Sequence, residues 1–390
     1  MIALDLSRLM SRAGFTTPTG IDRVELAYAR HLLASGSAHC LVAINAVGAI
    51  GALPLADAAR FIEMLETMWR NGAAPEETQE IKALARRLRR AALFGGVGEL
   101  RTRLRTEANP VYLLVSHSHL HRPHGITRLK RASGARFACL IHDLIPLDYP
   151  QYTSRAQTAR HQRRLDTVAA LADAVIVNSE ATRDALRRWM GRDVPVTVAP
   201  LGLDLAVETT PTIGRPYFVC LGTIEPRKNQ MLLLDIWQRL VAVHGERSPR
   251  LLLIGRRGWG SEPIASRLAS RSPFVEERAD LPDSALVPLL RGARAVLFPS
   301  FAEGFGLPVI EALASRVPVL CSDLPALRES GGGVPDYLDP ADAAAWQAAI
   351  LDYAIDSPRR QVQLGRLGQW RAPRWEQHFA IVDRLLAELR

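Results

Sequence analysis

No apolar run in the 390-residue chain approaches the roughly 18 residues that a membrane-spanning helix needs. The richest apolar stretches, Val111–Val115 and Leu251–Ile254, have the length of a β-strand. The first ten residues lack the basic start, the apolar centre and the small-residue cleavage site of a secretory signal. We therefore expect a cytoplasmic protein, either free or lying peripherally on the inner face of the cytoplasmic membrane.

Cysteine is scarce, and several ligand-binding motifs are absent. The four cysteines lie far apart with no C-x-x-C pair, which favours buried free thiols over disulfides or a metal site. There is no G-x-x-x-x-G-K-[ST] loop and no G-x-G-x-x-G after the first strand-like run, so the ATPase and dinucleotide-binding classes are disfavoured. No Asp-x-Asp follows a predicted strand, so the sequence offers no obvious site for a divalent ion bridging a diphosphate.

The chain does have enough apolar sequence for a sizeable core, together with an excess of positive charge. Hydrophobic residues make up 48% and charged residues 23%, which is typical of a globular protein of two or three domains at this length. The 49 Lys and Arg outnumber the 40 Asp and Glu, giving a net charge of +9. This excess favours an anionic partner: a nucleic acid, a phosphate-bearing metabolite or an anionic membrane.

Strand-like and helix-like segments alternate in two successive halves of the chain. The first half opens with the strand-like run Ile2–Leu6 and the helical pattern Ile21–Leu33, and the same order restarts at Tyr217–Leu221. Between the halves, Pro211–Pro216 is predicted to be a linker. The alternation predicts an α/β protein of two doubly wound domains, with parallel sheets covered by helices on both faces and ligands bound at a cleft. The predicted domains are residues 1–205 and 206–373, followed by a helix in 374–390.

The densest group of candidate ligand-binding residues lies in Phe298–Glu311. A predicted strand there runs into a turn with two glycines, including Gly306, and then into a helix. Glycines let the backbone approach a ligand, and amides at a helix start donate hydrogen bonds to phosphate or sugar oxygens. Glu303 and Glu311 are eight positions apart, so they are suited to accept hydrogen bonds from two separate groups of hydroxyls.

A second group, Leu221–Asn229, also follows a predicted strand and precedes a helix. Its adjacent Arg227 and Lys228 supply the fixed positive charge that a diphosphate needs. A basic pair in a loop is by itself usually solvated. Combined with the first group, this pair predicts a nucleotide-diphosphate site in the second domain.

These two groups, with the eight-residue spacing of the glutamates, resemble the retaining glycosyltransferases of family 4, most strongly over residues 141–338. The resemblance implies the GT-B fold: an N-terminal acceptor-binding domain and a C-terminal nucleotide-sugar-binding domain, both Rossmann-like, with the C-terminal helix returning to the N-terminal domain. It also implies that Arg227 and Lys228 hold the donor's diphosphate. Glu311 would bind the ribose hydroxyls, and Glu303 would lie against the transferred sugar.

The resemblance implies further donor contacts. Many relatives carry an arginine where Thr223 stands, so Arg256 is expected to supply part of the missing charge. Backbone amides around residues 305–307 would complete the cradle of the sugar. The expected donor-binding residues are Gly20, Thr223, Arg227, Lys228, Arg256, Phe305, Gly306, Leu307 and Glu311.

The resemblance also extends to the first domain and to the nucleobase. His142, at the end of the predicted strand Phe137–Ile141, resembles the family's active-site histidine, so His142 and Glu303 are the expected catalytic residues. Gly20 matches a glycine loop near the donor phosphate or the acceptor, although a threonine replaces one glycine of the usual pair. The loop Ile254–Gly260 is similar to the family's nucleobase loop, and its Gly-Trp ending resembles that of members using GDP-mannose.

The resemblance therefore implies a retaining hexosyltransferase. It would move a hexose, with mannose favoured, from a nucleotide diphosphate sugar to a saccharide or lipid-linked acceptor in surface polysaccharide or glycolipid biosynthesis. Cationic side chains and helix N-termini would stabilise the leaving nucleotide, so neither a divalent metal nor any cofactor is expected. Two other interpretations stay open: a nucleotide-sugar epimerase of the same fold, and a catalytically silent membrane-associated scaffold.

Two other segments carry unassigned charge or metal-binding side chains. Residues 81–105 hold many arginines interleaved with leucines, which predicts either a basic amphipathic helix on an anionic membrane or a solvated helix face. Nucleic acid is not an expected partner, because aromatic residues do not interleave as stacking platforms. His117, His119, His121 and His124 follow another predicted strand. A cleft-lining loop is favoured there over a metal site, because no carboxylate is expected nearby.

Overall fold

The computed structural model describes residues 1–36, 38–204, 216–269 and 272–390. These residues form two compact units. The first unit comprises Met1–Leu147, Ala156–Gly202 and Arg374–Arg390, and the second comprises Asp148–Arg155 and Leu203–Pro373. The predicted domain boundary at 205/206 and the predicted linker, apart from its last residue, lie outside the described residues.

The first unit is built on one sheet. Its strands are β1 (Ile2–Asp5), β2 (His39–Ile44), β3 (Ile50–Ala52), β4 (Val111–Leu114), β5 (Arg136–Ile141), β6 (Ala174–Val177) and β7 (Val196–Val198). Its helices are α1 (Ser7–Ser11), α2 (Gly20–Ala34), α3 (Leu55–Asn71), α4 (Pro75–Leu93), α5 (Gly96–Arg105), α6 (His124–Ser133), α7 (Ile145–Asp148), α8 (Arg155–Leu171) and α9 (Glu180–Trp189). Asp148 of α7 and Arg155 of α8 group with the second unit.

The second unit is built on another sheet, and the chain then ends in a helix. The strands are β8 (Tyr217–Leu221), β9 (Arg250–Ile254), β10 (Val275–Arg278), β11 (Val296–Phe298), β12 (Val319–Ser322) and β13 (Asp336–Leu338). The helices are α10 (Gln230–His244), α11 (Glu262–Leu268), α12 (Asp283–Arg291), α13 (Leu307–Ala314), α14 (Pro325–Gly331), α15 (Ala343–Ala354), α16 (Pro358–Gln369) and finally α17 (Trp375–Glu388).

Each sheet has the strand order of a doubly wound fold. Over the described residues the orders are β3-β2-β1-β4-β5-β6-β7 and β10-β9-β8-β11-β12-β13. The pairs are parallel except β2 with β3, which is antiparallel. Strands β1, β4 and β6 are short runs that are aliphatic apart from Asp5 and Tyr112, and all three are buried throughout, as expected where helices cover both faces of a parallel sheet. The predicted fold class is confirmed.

The C-terminal helix α17 belongs to the first unit, as the fold prediction has it. His378 lies in this helix and is almost completely buried. One ring nitrogen of His378 is 2.8 Å from the Tyr28 hydroxyl, and the other is 3.1 Å from the carbonyl oxygen of Ala199. Phe379 packs edge-on against Tyr28, with ring centroids 5.0 Å apart. These contacts join the last helix of the chain to α2.

The structure corrects the expectation of one amphipathic helix over residues 81–105. The segment is divided between α4 and α5, with a break at Phe94 and Gly95. Leu84 and Leu88 are buried in the protein, so the apolar face of α4 is already covered. Arginines remain on the outside. Across the described residues, no helix combines the length and apolarity needed to cross a membrane.

Candidate functional site

The candidate site of the second unit lies where neighbouring parallel strands end. Strands β9, β8 and β11 are adjacent in the sheet, so the loops that follow them start at the same edge. From the central strand β8 the chain passes to β9 on one side of β8, and it later returns to form β11 on the other side. In doubly wound folds, the crevice at this change of direction is where ligands bind. Both sequence groups fall there, one after β8 and the other after β11.

An ion cluster joins these two loops. The Nζ atom of Lys228 is 2.6 Å from Oε1 of Glu303, and the guanidinium of Arg227 is 3.2 Å from the same oxygen. On its other side, Arg227 is 2.6 Å from Oε1 of Glu225. The structure therefore brings Arg227, Lys228 and Glu303 together. It adds Glu225, to which the sequence analysis gave no role.

Burial and charge act in opposite directions on the carboxyl of Glu303. Burial by itself raises the pKa of Glu303, but the charges of Lys228 and Arg227 outweigh it, so the net pKa lies below the usual range. Burial lowers the pKa of Lys228, and the Glu303 charge opposes that effect. The two cations thus favour the ionised form of Glu303, against the effect of burial. The pair is an ammonium–carboxylate contact with little access to water, since both side chains are about nine-tenths buried.

Backbone contacts hold the two loops in this arrangement. The N–H of Phe301 donates to the carbonyl of Arg227 at 2.9 Å, and the Arg227 guanidinium donates to the carbonyl of Ala302 at 2.6 Å. The Lys228 ammonium also lies 4.4 Å from the centre of the Phe298 ring, within the range of a cation–π contact. The cations are therefore positioned by main chain and aromatic groups, and do not project freely into solvent.

Two glycines allow the loops to pass close to one another and to the helices. Gly306 has φ +94° directly before α13, and a Cβ there would lie 2.4 Å from the Leu327 side chain. Gly255 has φ +155°, and a Cβ there would lie 2.0 Å from the carbonyl oxygen of Gly222. Both conformations disfavour residues with side chains. In the turn predicted after β11, the backbone conformation and the close Leu327 side chain therefore require glycine at position 306.

The remaining expected donor contacts lie around the ion cluster. Leu307 is the first residue of α13, and Glu311 is half-buried one turn further along. The Phe305 side chain is buried. Thr223 is half-buried, and its carbonyl accepts a hydrogen bond from Gln230 at 3.0 Å.

Arg256 was expected to supplement the positive charge. Its guanidinium instead forms an ion pair with Asp280, which is in the loop following β10. The charge that the sequence analysis assigned to the diphosphate is therefore already balanced at Arg256, as it is at Arg227 and Lys228.

His142 follows β5 in the first unit and is buried with a defined tautomer. Its Nε2 is 2.8 Å from the carbonyl oxygen of Val115. Because a carbonyl only accepts, Nε2 carries the proton and Nδ1 keeps a lone pair. Burial lowers the pKa of His142 to about 4, so the ring is neutral at pH 7. The carbonyl of His142 accepts a hydrogen bond from the side chain of Asn178 at 3.0 Å, which helps to position the backbone of His142.

Gly20 begins α2 in the first unit. Thr19 caps this helix, and Asp22 completes a capping box with it. Asp22 is buried and lies 2.6 Å from Arg8 and 3.0 Å from Arg12. The resemblance assigned this helix start to a phosphate or acceptor. Two arginines lie beside it, and both form ion pairs with Asp22.

The histidine cluster after β4 does not have the surroundings that were expected. The expectation that no carboxylate lies nearby is wrong: Oδ2 of Asp5, at the end of β1, is 3.7 Å from Nε2 of His119. The Tyr112 hydroxyl bridges them, 3.0 Å from Asp5 and 2.8 Å from His119. His124 is instead the first residue of α6. No group of three or more metal-binding side chains occurs in the part of the chain that the structure describes.

Comparison with known proteins gives two family matches. A family model described as Glycosyl transferases group 1 matches residues 215–356, and one described as Glycosyltransferase Family 4 matches residues 64–207. The O-antigen chain mannosyltransferase B of Escherichia coli is 37% identical over 163 residues, which is 41% of this chain and 42% of that protein. The O-antigen chain mannosyltransferase RfbU of Salmonella typhimurium is 30% identical over 215 residues, 54% of this chain and 58% of that protein. The chain thus spans less than two thirds of these relatives.

Several solved structures resemble the whole chain. A sucrose-phosphate synthase from Thermosynechococcus elongatus superposes with a TM-score of 0.66 at 18% identity, covering 100% of this chain and 98% of that one. HepE of Anabaena in complex with UDP-glucose superposes with a TM-score of 0.67 at 14% identity, covering 99% of each chain. At these identities the likeness shows the fold alone.

Proposed function

Because the chain belongs to glycosyltransferase family 4, we propose that it transfers a hexose from a nucleotide diphosphate sugar to a saccharide or lipid-linked acceptor. Relatives in two bacteria are named O-antigen chain mannosyltransferases, which supports mannose as the hexose and surface polysaccharide assembly as the process. The Gly-Trp ending of the loop after β9 favours GDP-mannose as the donor. Retention of the anomeric configuration follows from the family resemblance.

The observation that carries this proposal is the ion cluster of Arg227, Lys228 and Glu303 at the change of direction in the second sheet. An ammonium has three N–H donors, so Lys228 can hold Glu303 and still donate to a phosphate oxygen. An arginine has five N–H donors and can likewise serve a carboxylate and a phosphate together. In this arrangement, a bound diphosphate would interact with the two cations that Glu225 and Glu303 balance in its absence.

The proposed chemistry uses this chain's side chains alone. As the bond between the anomeric carbon and the diphosphate breaks, negative charge develops on the leaving phosphate, where Arg227 and Lys228 stabilise it. Glu303 positions the sugar, and Glu311 accepts hydrogen bonds from the ribose. The neutral ring of His142 accepts a hydrogen bond from a sugar hydroxyl at Nδ1. Same-face attack by the acceptor hydroxyl is assisted by the departing phosphate oxygen, and no divalent metal is required.

We also propose that the outer arginines of α4 and α5 contact an anionic membrane where a lipid-linked acceptor is held. Arg86 and Arg90 of α4 and Arg101 and Arg105 of α5 are exposed. Because the leucines of these helices are buried, apart from the half-buried Leu93, the proposed contact is electrostatic. In this proposal the protein lies peripherally on the inner face of the membrane.

A transfer assay tests the proposed activity. The protein is incubated with GDP-, UDP- and dTDP-sugars and a mannose-containing acceptor, and the product is identified by mass spectrometry and by the NMR coupling at its new anomeric carbon. We expect an α-linked product, and a loss of at least about a hundredfold in kcat/KM for Glu303→Gln and Lys228→Ala.

Arg250→Gln is the matched control. Arg250 forms an ion pair with Glu276 at the opposite end of β9, away from the ligand-binding edge, and its loss should leave kcat/KM within twofold. Release of free nucleotide and an isomerised sugar with water alone would favour an epimerase. Failure to consume any donor would contradict a transferase.

A further inference from the structure

Three aromatic side chains of the second unit form a row of stacked rings, which we call the aromatic stack: Tyr149, Tyr152 and Phe301. The Tyr152 and Phe301 rings are almost parallel, at 5° with centroids 5.4 Å apart. The Tyr149 and Tyr152 rings follow at 29° and 6.4 Å. Neither tyrosine was singled out by the sequence analysis, and the mechanism proposed above does not use the stack.

The stack lies outside the buried clusters of the second unit. Tyr149 is 37% exposed, while Tyr152 and Phe301 are half-buried. The described core clusters of this unit contain none of the three. Tyr149 is the most exposed of the three rings. Aromatic area of this kind, left partly in water, is common at ligand-binding surfaces.

Backbone hydrogen bonds fix both halves of the stack. Tyr149 immediately precedes a short 3₁₀ turn, Pro150–Tyr152, and the N–H of Tyr152 at the end of this turn donates to the Tyr149 carbonyl at 3.0 Å. The Phe301 N–H donates to the carbonyl of Arg227 in the ion cluster at 2.9 Å. The rings are therefore presented by ordered backbone, which lowers the entropy cost of binding a ligand.

The stack is close to the proposed donor site along the chain. Phe301 and Glu303 are two residues apart, so their Cα atoms are separated by at most about 7 Å. A flat aromatic surface suits a pyranose ring, which has an apolar C–H face.

We propose that the aromatic stack binds a pyranose ring of the acceptor saccharide. This inference rests on the proposed function for its place in the reaction, but the binding itself does not require transfer to occur. The acceptor is favoured over the donor because Arg227, Lys228 and Glu303 already provide for the diphosphate and the transferred sugar. A donor contact is the other outcome that the experiment below distinguishes.

The test compares acceptor and donor constants in ring variants. We expect Tyr149→Ala and Tyr152→Ala to raise the acceptor KM roughly five- to tenfold, the size of an aromatic contact, and to leave the donor KM and donor Kd unchanged. Tyr152→Phe keeps the ring and should stay within twofold of wild type. Trp189→Ala removes an aromatic of similar exposure, 40%, from the first unit and should change neither constant.

The outcomes separate failure of this inference from failure of the proposed function. An unchanged acceptor KM in both alanine variants overturns the inference, as does a rise in the donor KM alone or a loss in Tyr152→Phe equal to that in Tyr152→Ala. If wild-type protein transfers no sugar, an NMR titration with a mannose oligosaccharide decides the matter. Saturation transfer from the wild-type protein to the sugar, lost in Tyr149→Ala, supports binding at the aromatic stack. If the wild-type protein shows no saturation transfer to the sugar, the inference is contradicted.

Discussion

At the scale of the residue, one buried carboxylate forms ion pairs with two cations. Glu303 contacts Lys228 and Arg227, which come from a loop 75 positions away in sequence. The sequence analysis identified all three side chains, because basic pairs and glutamates at strand ends are visible in the sequence. It gave the cations and Glu303 separate roles. Their mutual contact depends on β8 and β11 being neighbours, which residue spacing does not encode.

The ion pair of Lys228 and Glu303 predicts non-additive effects on stability. Lys228→Met leaves a buried carboxylate with Arg227 as its remaining neighbour, so the free energy of unfolding should fall by about 3 kcal/mol. Adding Glu303→Gln removes the uncompensated charge and should recover most of that loss without restoring donor binding. Urea unfolding followed by circular dichroism measures both. Additive losses in the double variant would show that the two side chains do not interact.

The buried Glu25 of α2 predicts that the free energy of unfolding falls as the pH rises. It is completely buried beside Asp5, and burial raises its pKa from 4.5 to about 8. Between about pH 5 and pH 8 the folded state keeps a proton that the unfolded state has lost, so the free energy of unfolding falls as the pH rises. Glu25→Gln cannot titrate. Its stability relative to wild type should therefore increase across this window.

Thermal unfolding of both proteins at pH 5, 6, 7, 8 and 9 measures this difference. Comparing the two proteins cancels the titration of every other group. A difference independent of pH would show that Glu25 is ionised in the folded protein.

At the scale of the element, the turn before α13 depends on Gly306. With φ at +94° and Leu327 beside it, Gly306→Ala should cost about 2 kcal/mol and weaken donor binding, because the helix start would shift. Gly365 lies inside α16, and a Cβ there would meet no atom within 4 Å. Gly365→Ala should be neutral or stabilising by up to about 1 kcal/mol. Thermal unfolding of both variants checks this, and equal losses would contradict it.

The helices α4 and α5 predict a salt-dependent membrane contact. Arg86→Gln with Arg90→Gln should weaken binding to phosphatidylglycerol vesicles roughly tenfold or more at low salt, since each arginine near an anionic surface contributes about 1 kcal/mol. Arg87 and Arg89 are better left intact, because they bond Asp57 and the carbonyl of Met10. Vesicle sedimentation measures the binding.

The matched control removes two exposed arginines from the second unit, Arg239 and Arg247. It should bind vesicles as wild type does. If wild-type protein does not bind anionic vesicles at low salt, or if both pairs of substitutions have the same effect, the membrane contact is refuted.

At the scale of the whole molecule, the order of elements was predictable and some of their partners were not. Alternating aliphatic runs and helical patterns predicted both parallel sheets, because such strands are buried on both faces. Nothing local in residues 374–390 encodes their partner, and the return of α17 to the first unit followed only from the family resemblance. His378 contacts Tyr28 across 350 positions. The grouping of Asp148–Arg155 with the second unit was not predicted either, because this segment lies within residues 1–205, the predicted first domain.

The central claim is that the paired cations after β8 grip the diphosphate of a sugar nucleotide. Calorimetric titration of the wild-type protein with GDP-mannose and the other sugar nucleotides tests it most directly. We predict saturable binding of one donor, at least tenfold weaker in Lys228→Ala and unchanged in Arg250→Gln, with both variants folded by their thermal transitions. Equal affinity for the donor in Lys228→Ala and wild type would contradict the account.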